Sequence, residues 1–371
     1  MRIAFVHDYL TQYGGAERVL EVLYSTYADN PRHVYTSFFV PQHLPPPMRT
    51  WPVTTSPLAR VPFATRTHRA WLPLYPGIFR RIGANIEADV VVADTSAWAH
   101  HAAPPSGTPF LVYCHSPARF LYGDEHYLDA NDIPEPLGWV TTHLFSWLRR
   151  QDIAAAQKPD RIIANSAAVQ KRIRDVWGRE ADIIHPPVDT AQFRPPTERN
   201  VQPWFLVVSR LVPHKWIDRA IRASNATGLP LRIIGTGRAE RSLKRLAGPQ
   251  VEFLGQLPDQ FVVASMQQCQ ALLVPGVEDF GMTAVEVQAA GRPVIAAGAG
   301  GALETVRDSE TGFLVPVGSV DALADAMRAT VSKRWDRQAI LDHADTFDRR
   351  HFQRQIRAVV DDVTGASSSP A

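Results

Sequence analysis

The chain has 371 residues, enough for two domains of ordinary size, and its 45% hydrophobic and 20% charged content describes a soluble globular protein. A formal net charge of +2 gives no support to nucleic acid as a bulk partner. Two cysteines far apart, Cys114 and Cys269, argue against a disulfide scaffold or a zinc site.

The first segment, "RIAFVHDY", reads as a buried strand, and it lacks the longer apolar core of a signal peptide. Gly14-Gly15 marks a tight turn, after which Val19, Leu20, Val22 and Leu23 fall on one face of a helix. A glycine pair between strand and helix brings backbone close to a phosphate, although many turns share it. Residues 30–86 contain no Asp or Glu but hold Arg32, Arg49, Arg60, Arg66, Arg69, Arg80 and Arg81, interleaved with Trp51, Phe63, Trp71, Tyr75 and Phe79. Arginine among aromatics suits an anionic lipid surface or a phosphate-bearing acceptor; a solvated basic face over buried aromatics is the plainer alternative. Strands follow at "VVVA", "PFLVYCH" and "DRIIANS", with helices between them. His7-Asp8 and His115 end buried strands, where a histidine is more often structural than functional. His100-His101 reads as a loop pair, with no nearby carboxylate or Cys to complete a metal site.

Residues 186–204 are rich in proline and polar residues and read as the linker between domains. A second alternation of strands and helices follows. The expected fold is α/β, two Rossmann-like, doubly wound parallel-sheet domains facing a cleft at the carboxyl ends of their strands. The first is expected over 1–195 and the second over 196–350. Whether a helix at 351–363 returns to the first domain is left open, and 364–371 is expected to be a disordered tail. No apolar run approaches the ~20 residues of a membrane span. The expected location is the cytoplasm, peripheral contact with the inner face of the membrane being open.

The chemistry concentrates in the second half. In "VPGVEDFGMTAVEVQAAG", Glu278 lies in a loop after a strand and Glu286 in the early part of a helix starting between Gly281 and Thr283. Eight helical residues span about 12 Å, too far for a glycosidase acid/base pair at about 5–9.5 Å. Two carboxylates so spaced suit the hydroxyls at two ends of one extended ligand, or merely a dipole-favoured helix start. The amides of Phe280, Gly281 and Met282 face any ligand at that helix N-terminus. Ser209, Arg210 and Lys215 follow another buried strand, where two cations fit a diphosphate or, for Lys215, a surface pair with Asp218. Gly235 and Gly237 in "IIGTGRAE" are too few for a dinucleotide fingerprint.

Together, "GGAERVL", "CHSP", "IIANS", "SRLVPHKWID", the E-x7-E of "EDFGMTAVE" and "GGALETV" resemble the retaining GT-B glycosyltransferases of family GT4, in pattern most like bacterial O-antigen and exopolysaccharide mannosyltransferases. The resemblance implies that Glu286 holds the ribose and Glu278 the donor sugar, with Phe280, Gly281, Met282 and Thr283 around them. It implies that Arg210 and Lys215, beside Ser209, neutralise the leaving diphosphate, that Gly14-Gly15 admits the donor, that His115 contacts the sugar, and that "VEFLG", with Leu254, borders the base. The implied activity is transfer of a hexose from a nucleotide sugar to a lipid-linked or growing glycan acceptor. GDP-mannose is favoured as donor, with a UDP-sugar as alternative. No permanently bound cofactor and no metal are expected to be required. A catalytically silent nucleotide-sugar-binding subunit is the alternative outside enzymology. Trp216, where relatives tend to carry a basic residue, and Met282-Thr283-Ala284, in place of a bulkier aliphatic run, depart from the pattern.

Overall fold

A computed structural model describes residues 1–62, 64–65, 68–122, 138–195 and 200–365. The expected disordered tail lies outside the described residues, apart from Thr364 and Gly365, as do Phe63 and Arg66. Two compact units form: one comprises Met1–His185 and Phe352–Ala371, the other Pro186–His351.

The first unit holds seven strands: β1 (Ile3–His7), β2 (Arg32–Thr36), β3 (Val53–Thr55), β4 (Val90–Thr95), β5 (Phe110–Cys114), β6 (Arg161–Ala164) and β7 (Asp182–Ile183). They pair in parallel in the order β3-β2-β1-β4-β5-β6-β7. The central strands β1, β4 and β5 are buried at every position. That is the pattern of a parallel sheet covered on both faces, and it explains why they read as continuous apolar runs. Helix Gly15–Thr26 buries Val19, Leu20 and Leu23, whereas Val22 is half-buried.

The second unit holds β8 (Phe205–Val208), β9 (Leu231–Ile234), β10 (Val251–Gly255), β11 (Leu272–Val274), β12 (Val294–Ala297) and β13 (Gly312–Val315), in the order β10-β9-β8-β11-β12-β13. Successive side chains enter different cores. Leu206, Leu272, Val294 and Ala296 join one cluster; Phe205, Val207, Leu273 and Ile295 join the other. This is the two-residue period of a strand used on both faces.

Helix Arg349–Thr364 crosses the unit boundary. Phe352, Ile356 and Val360, four apart, form its buried stripe. Within the first unit Phe352 meets Tyr113 edge-on at 5.6 Å, and Arg357 donates to the Thr26 carbonyl at 2.7 Å.

Both sheets reverse strand order at one place, between β1 and β4 and between β8 and β11. At such a reversal the following loops diverge to opposite faces and leave a crevice at the carboxyl ends. The chemically interesting side chains of each unit cluster there.

Candidate functional site

In the second unit, β8 delivers Ser209, Arg210 and, after a short turn over Pro213–Lys215, the Lys215 side chain. The neighbouring β11 delivers Glu278. Lys215 Nζ donates to both Glu278 oxygens at 2.6 Å. Both side chains are about one-fifth exposed, so the pair is screened less than a surface pair yet stays within reach of a ligand. Asp218 does not take Lys215, as the surface-pair reading would have it; it lies 3.6 Å from Arg219 and 3.9 Å from Arg222. Arg210 is exposed, and its carbonyl accepts from Ser209 Oγ at 3.2 Å.

Close backbone approach shapes this end of the sheet. A Cβ on Gly235 would lie 1.9 Å from the Ser209 carbonyl oxygen, and Gly235 has φ +129°. Only glycine fits, and Ser209 N donates to Ile234 O beside it. The Glu278 carbonyl accepts from Gly301 N at 2.9 Å, fixing the loop that presents its carboxylate.

Gly281, at φ +94°, begins helix Met282–Ala289. Phe280 is buried and packs edge-on against Phe347, whereas Met282 and Thr283 are half-buried. Glu286 lies in the buried stretch of that helix and is only 4% exposed. Leu254 packs on the same core cluster as Phe280. Trp216, the departure noted above, adopts φ +52°, rare outside glycine, and carries Arg219 over its ring at 3.9 Å.

The first unit is furnished differently. Asp94, at the end of β4, is fully buried and bridges two imidazoles: His7 Nδ1 at 2.8 Å and His115 Nε2 at 2.6 Å. Glu17 is buried too, with Oε1 3.9 Å from His7 Nε2, while its Oε2 accepts from Gly14 N at 2.8 Å. The Gly14 amide is thus occupied by Glu17, and Gly15 is the first residue of its helix. Burial alone would depress the His7 pKa, but Asp94 and Glu17 together raise it from 6.5 to about 10. The Asp94 carboxyl, which burial alone would push up, is held below its ordinary range chiefly by His115 and His7. Asp8 is committed to the loop after β4, accepting from Ser96 N at 2.7 Å, Trp98 N at 2.7 Å and Ala99 N at 2.6 Å. Asp94 and Glu17 were missed as partners in the sequence. The signal was present, since an acid ending the apolar run "VVVAD" needs a partner.

The histidine pair at 100–101 corrects the sequence reading. A carboxylate does reach it: Asp152, from helix Gly138–Ala156, joins His100 and His101, and all three are buried. Burial and the neighbouring His100 lower the His101 pKa to about 4, Arg80 contributing in the same sense.

A groove of about 430 Å³ in the first unit is lined by Pro117, Arg119, Tyr122, Lys171 and Arg172 among others. Within the acid-free stretch, Tyr75 and Phe79 lie in the core and Trp51 stacks on Tyr24 at 4.1 Å. Arg32 donates to the Tyr24 carbonyl, and Arg49 to that of Leu44. No helix among the described residues is long and apolar enough to cross a membrane.

A family model described as Glycosyltransferase Family 4 matches residues 13–192, and one described as Glycosyl transferases group 1 matches residues 188–345. The chain belongs to the GT4 glycosyltransferases of GT-B fold. This GT4 member is 31% identical over 235 residues to a D-inositol 3-phosphate glycosyltransferase of Rhodococcus erythropolis, covering 55% of the chain and 51% of the relative. It is 32% identical over 192 residues to a GDP-mannose-dependent alpha-(1-6)-phosphatidylinositol monomannoside mannosyltransferase of Mycobacterium tuberculosis, covering 44% and 50%. The chain thus spans about half the length of the curated relatives it matches. Among solved structures, Anabaena HepE in complex with UDP superposes with a TM-score of 0.73 at 21% identity, covering 98% of this chain and 100% of that one. A sucrose-phosphate synthase of Thermosynechococcus elongatus gives 0.74 at 18% identity, covering 99% and 100%. At these identities the two structures establish the fold of the GT4 member.

Proposed function

We propose that this chain moves a hexose, in the first instance mannose from GDP-mannose, to a lipid-linked or growing glycan acceptor with retention of anomeric configuration. The observation that carries the reading is the Lys215–Glu278 pair at the strand-order reversal of the second unit, with Arg210 beside Lys215 in sequence and Glu286 on the following helix. Without donor, the carboxylate holds the ammonium and neutralises it. A nucleoside diphosphate offers Lys215 a stronger set of acceptor oxygens and frees Glu278 to accept from sugar hydroxyls. As the glycosidic bond breaks, negative charge grows on the β-phosphate. Lys215, Arg210 and the amides at the start of helix Met282–Ala289 stabilise that charge, while Glu286 binds ribose hydroxyls. No carboxylate is assigned as nucleophile, so attack is from the face the phosphate leaves, and the phosphate takes the acceptor proton. On this reading the cations are the protein's own, and the transfer step uses no metal. The roles implied for His115 and Gly15 stay part of the proposal, as does contact of residues 30–86 with an anionic membrane surface on the cytoplasmic side.

The mannose assignment is supported by relatives named for GDP-mannose dependence. A UDP-sugar donor is the second reading, favoured by the HepE complexes with UDP and UDP-glucose. A thermal-shift panel of GDP, UDP, ADP, GDP-mannose and UDP-sugars separates them, because a ligand bound only by the folded state raises Tm. Product analysis with glycolipid and oligosaccharide acceptors follows. Stabilisation by GDP-mannose and a mannosylated product are expected; a shift with UDP compounds alone replaces the donor. Binding without transfer to any acceptor favours the silent subunit, and no shift with any nucleotide defeats the donor-site reading altogether.

A further inference from the structure

The buried trio of His100, His101 and Asp152 lies outside the chemistry assigned above. Asp152 Oδ2 is satisfied by the protein, accepting from Tyr122 OH at 2.6 Å and from Trp177 Nε1 at 2.6 Å. His100 Nδ1 faces Thr95 Oγ1 at 3.5 Å. Three further atoms, His100 Nε2, His101 Nε2 and Asp152 Oδ1, are buried and make no hydrogen bond. They converge nonetheless. His100 Nε2 is 3.0 Å and His101 Nε2 3.8 Å from Asp152 Oδ1, and the three side chains can place one ligand atom each within 4.8 Å of one another.

Three polar atoms without a hydrogen bond in a core are costly, roughly 1–3 kcal/mol for each group left unsatisfied. Neither imidazole hydrogen-bonds Asp152 Oδ1: His101 lies too far away, and His100 stands only at ion-pair distance. An ion at their focus would satisfy all three. Ligands 2.0–2.1 Å from a tetrahedral ion lie roughly 3.3 Å apart, between the two separations observed. The groups behind the ligands also match. Metal-bound imidazoles commonly direct their second nitrogen to an oxygen, as His100 does toward Thr95, and metal-bound carboxylates are themselves hydrogen-bonded, as Asp152 is by Tyr122 and Trp177.

We propose that His100, His101 and Asp152 form a binding site for a divalent transition-metal ion, zinc being the one best suited to two imidazoles and a carboxylate. Three protein ligands leave the fourth position to water. The ion ties the turn after β4, which carries both histidines, to helix Gly138–Ala156, which carries Asp152. Its role is structural and independent of whether the transfer step needs a metal.

The test uses the full chain without a polyhistidine tag, stripped with a strong chelator, reloaded with Zn2+ and passed through gel filtration. Elemental analysis is expected to find about one zinc per chain, with Tm raised over the stripped protein. His101→Ala and Asp152→Asn are expected to bind zinc at least about 10- to 100-fold more weakly. Equal zinc in wild type and both variants, or no retained zinc in wild type, overturns the site. Should the variants fail to fold, Co2+ loading of the wild type decides. A visible ligand-field band from a nitrogen- and oxygen-bound ion supports the proposal, and its absence overturns it.

Discussion

The two units repeat one topology and furnish it in opposite ways. At the reversal in the first sheet, His7, Asp94, Glu17 and His115 face one another, and the first three are fully buried. At the reversal in the second, Arg210 is exposed and the Lys215–Glu278 pair is only partly buried. Topology therefore provides a crevice, while the residues that end the strands decide whether it is a sealed polar network or a place where charge stays exchangeable. A buried network contributes chiefly to stability and to the pose of His115. A half-exposed pair is positioned to trade partners with a ligand.

That contrast can be broken most directly in the first unit. Asp94→Ala leaves two imidazoles without their shared carboxylate and is expected to cost about 3–5 kcal/mol, read as a lowered urea midpoint. The same network has a pH signature. The His7 pKa is raised by folding, so its stabilisation is complete below pH 6.5 and is lost as pH rises through about 10. The wild type should lose Tm across that window, and Asp94→Asn should flatten the decline. An unchanged slope would mean His7 is not charged in the folded protein.

In the second unit the expected loss is in rate. Lys215→Ala and Glu286→Ala should each lower turnover by about 10²–10³ with folding intact, checked by a transfer assay beside circular dichroism. Undiminished turnover in both folded variants would remove the proposed donor site. Gly235→Ala should destabilise by about 2–3 kcal/mol, because the new Cβ would meet the Ser209 carbonyl at positive φ. Gly281→Ala meets nothing closer than 3.7 Å and pays mainly for its φ of +94°, so about 1 kcal/mol is expected. A thermal melt ranks the two.

Much of this architecture was legible because a buried parallel strand is an apolar run that ends abruptly. β1, β4, β5, β8, β11 and β12 could be read that way, and the helix after Gly281 begins where its glycine indicates. Pairings were not legible. Lys215 and Glu278 are 63 residues apart and meet only because β8 lies beside β11, a fact of strand order that no local pattern encodes. Asp152 was invisible as the partner of His100 for the same reason: it sits on a helix whose apolar stripe is weak, far along the chain from the turn it reaches. The aromatics of residues 30–86 illustrate another limit. Composition alone cannot separate a ring that anchors outside from one such as Tyr75 or Phe79, which fills the core.

The helix over Arg349–Thr364 has a practical consequence for dissecting the molecule. The polypeptide leaves the first unit at His185 and re-enters it at Phe352, so that unit is made from two separate stretches of chain. A fragment ending near residue 186 would lack Phe352, Ile356 and Val360 and would expose the apolar surface they cover, inviting aggregation in the host cell. The second unit, by contrast, is one uninterrupted stretch, Pro186–His351, and is the piece to produce in isolation for testing the proposed nucleotide binding. To obtain the first unit alone, the closing helix must be joined back by a short flexible linker rather than cut away.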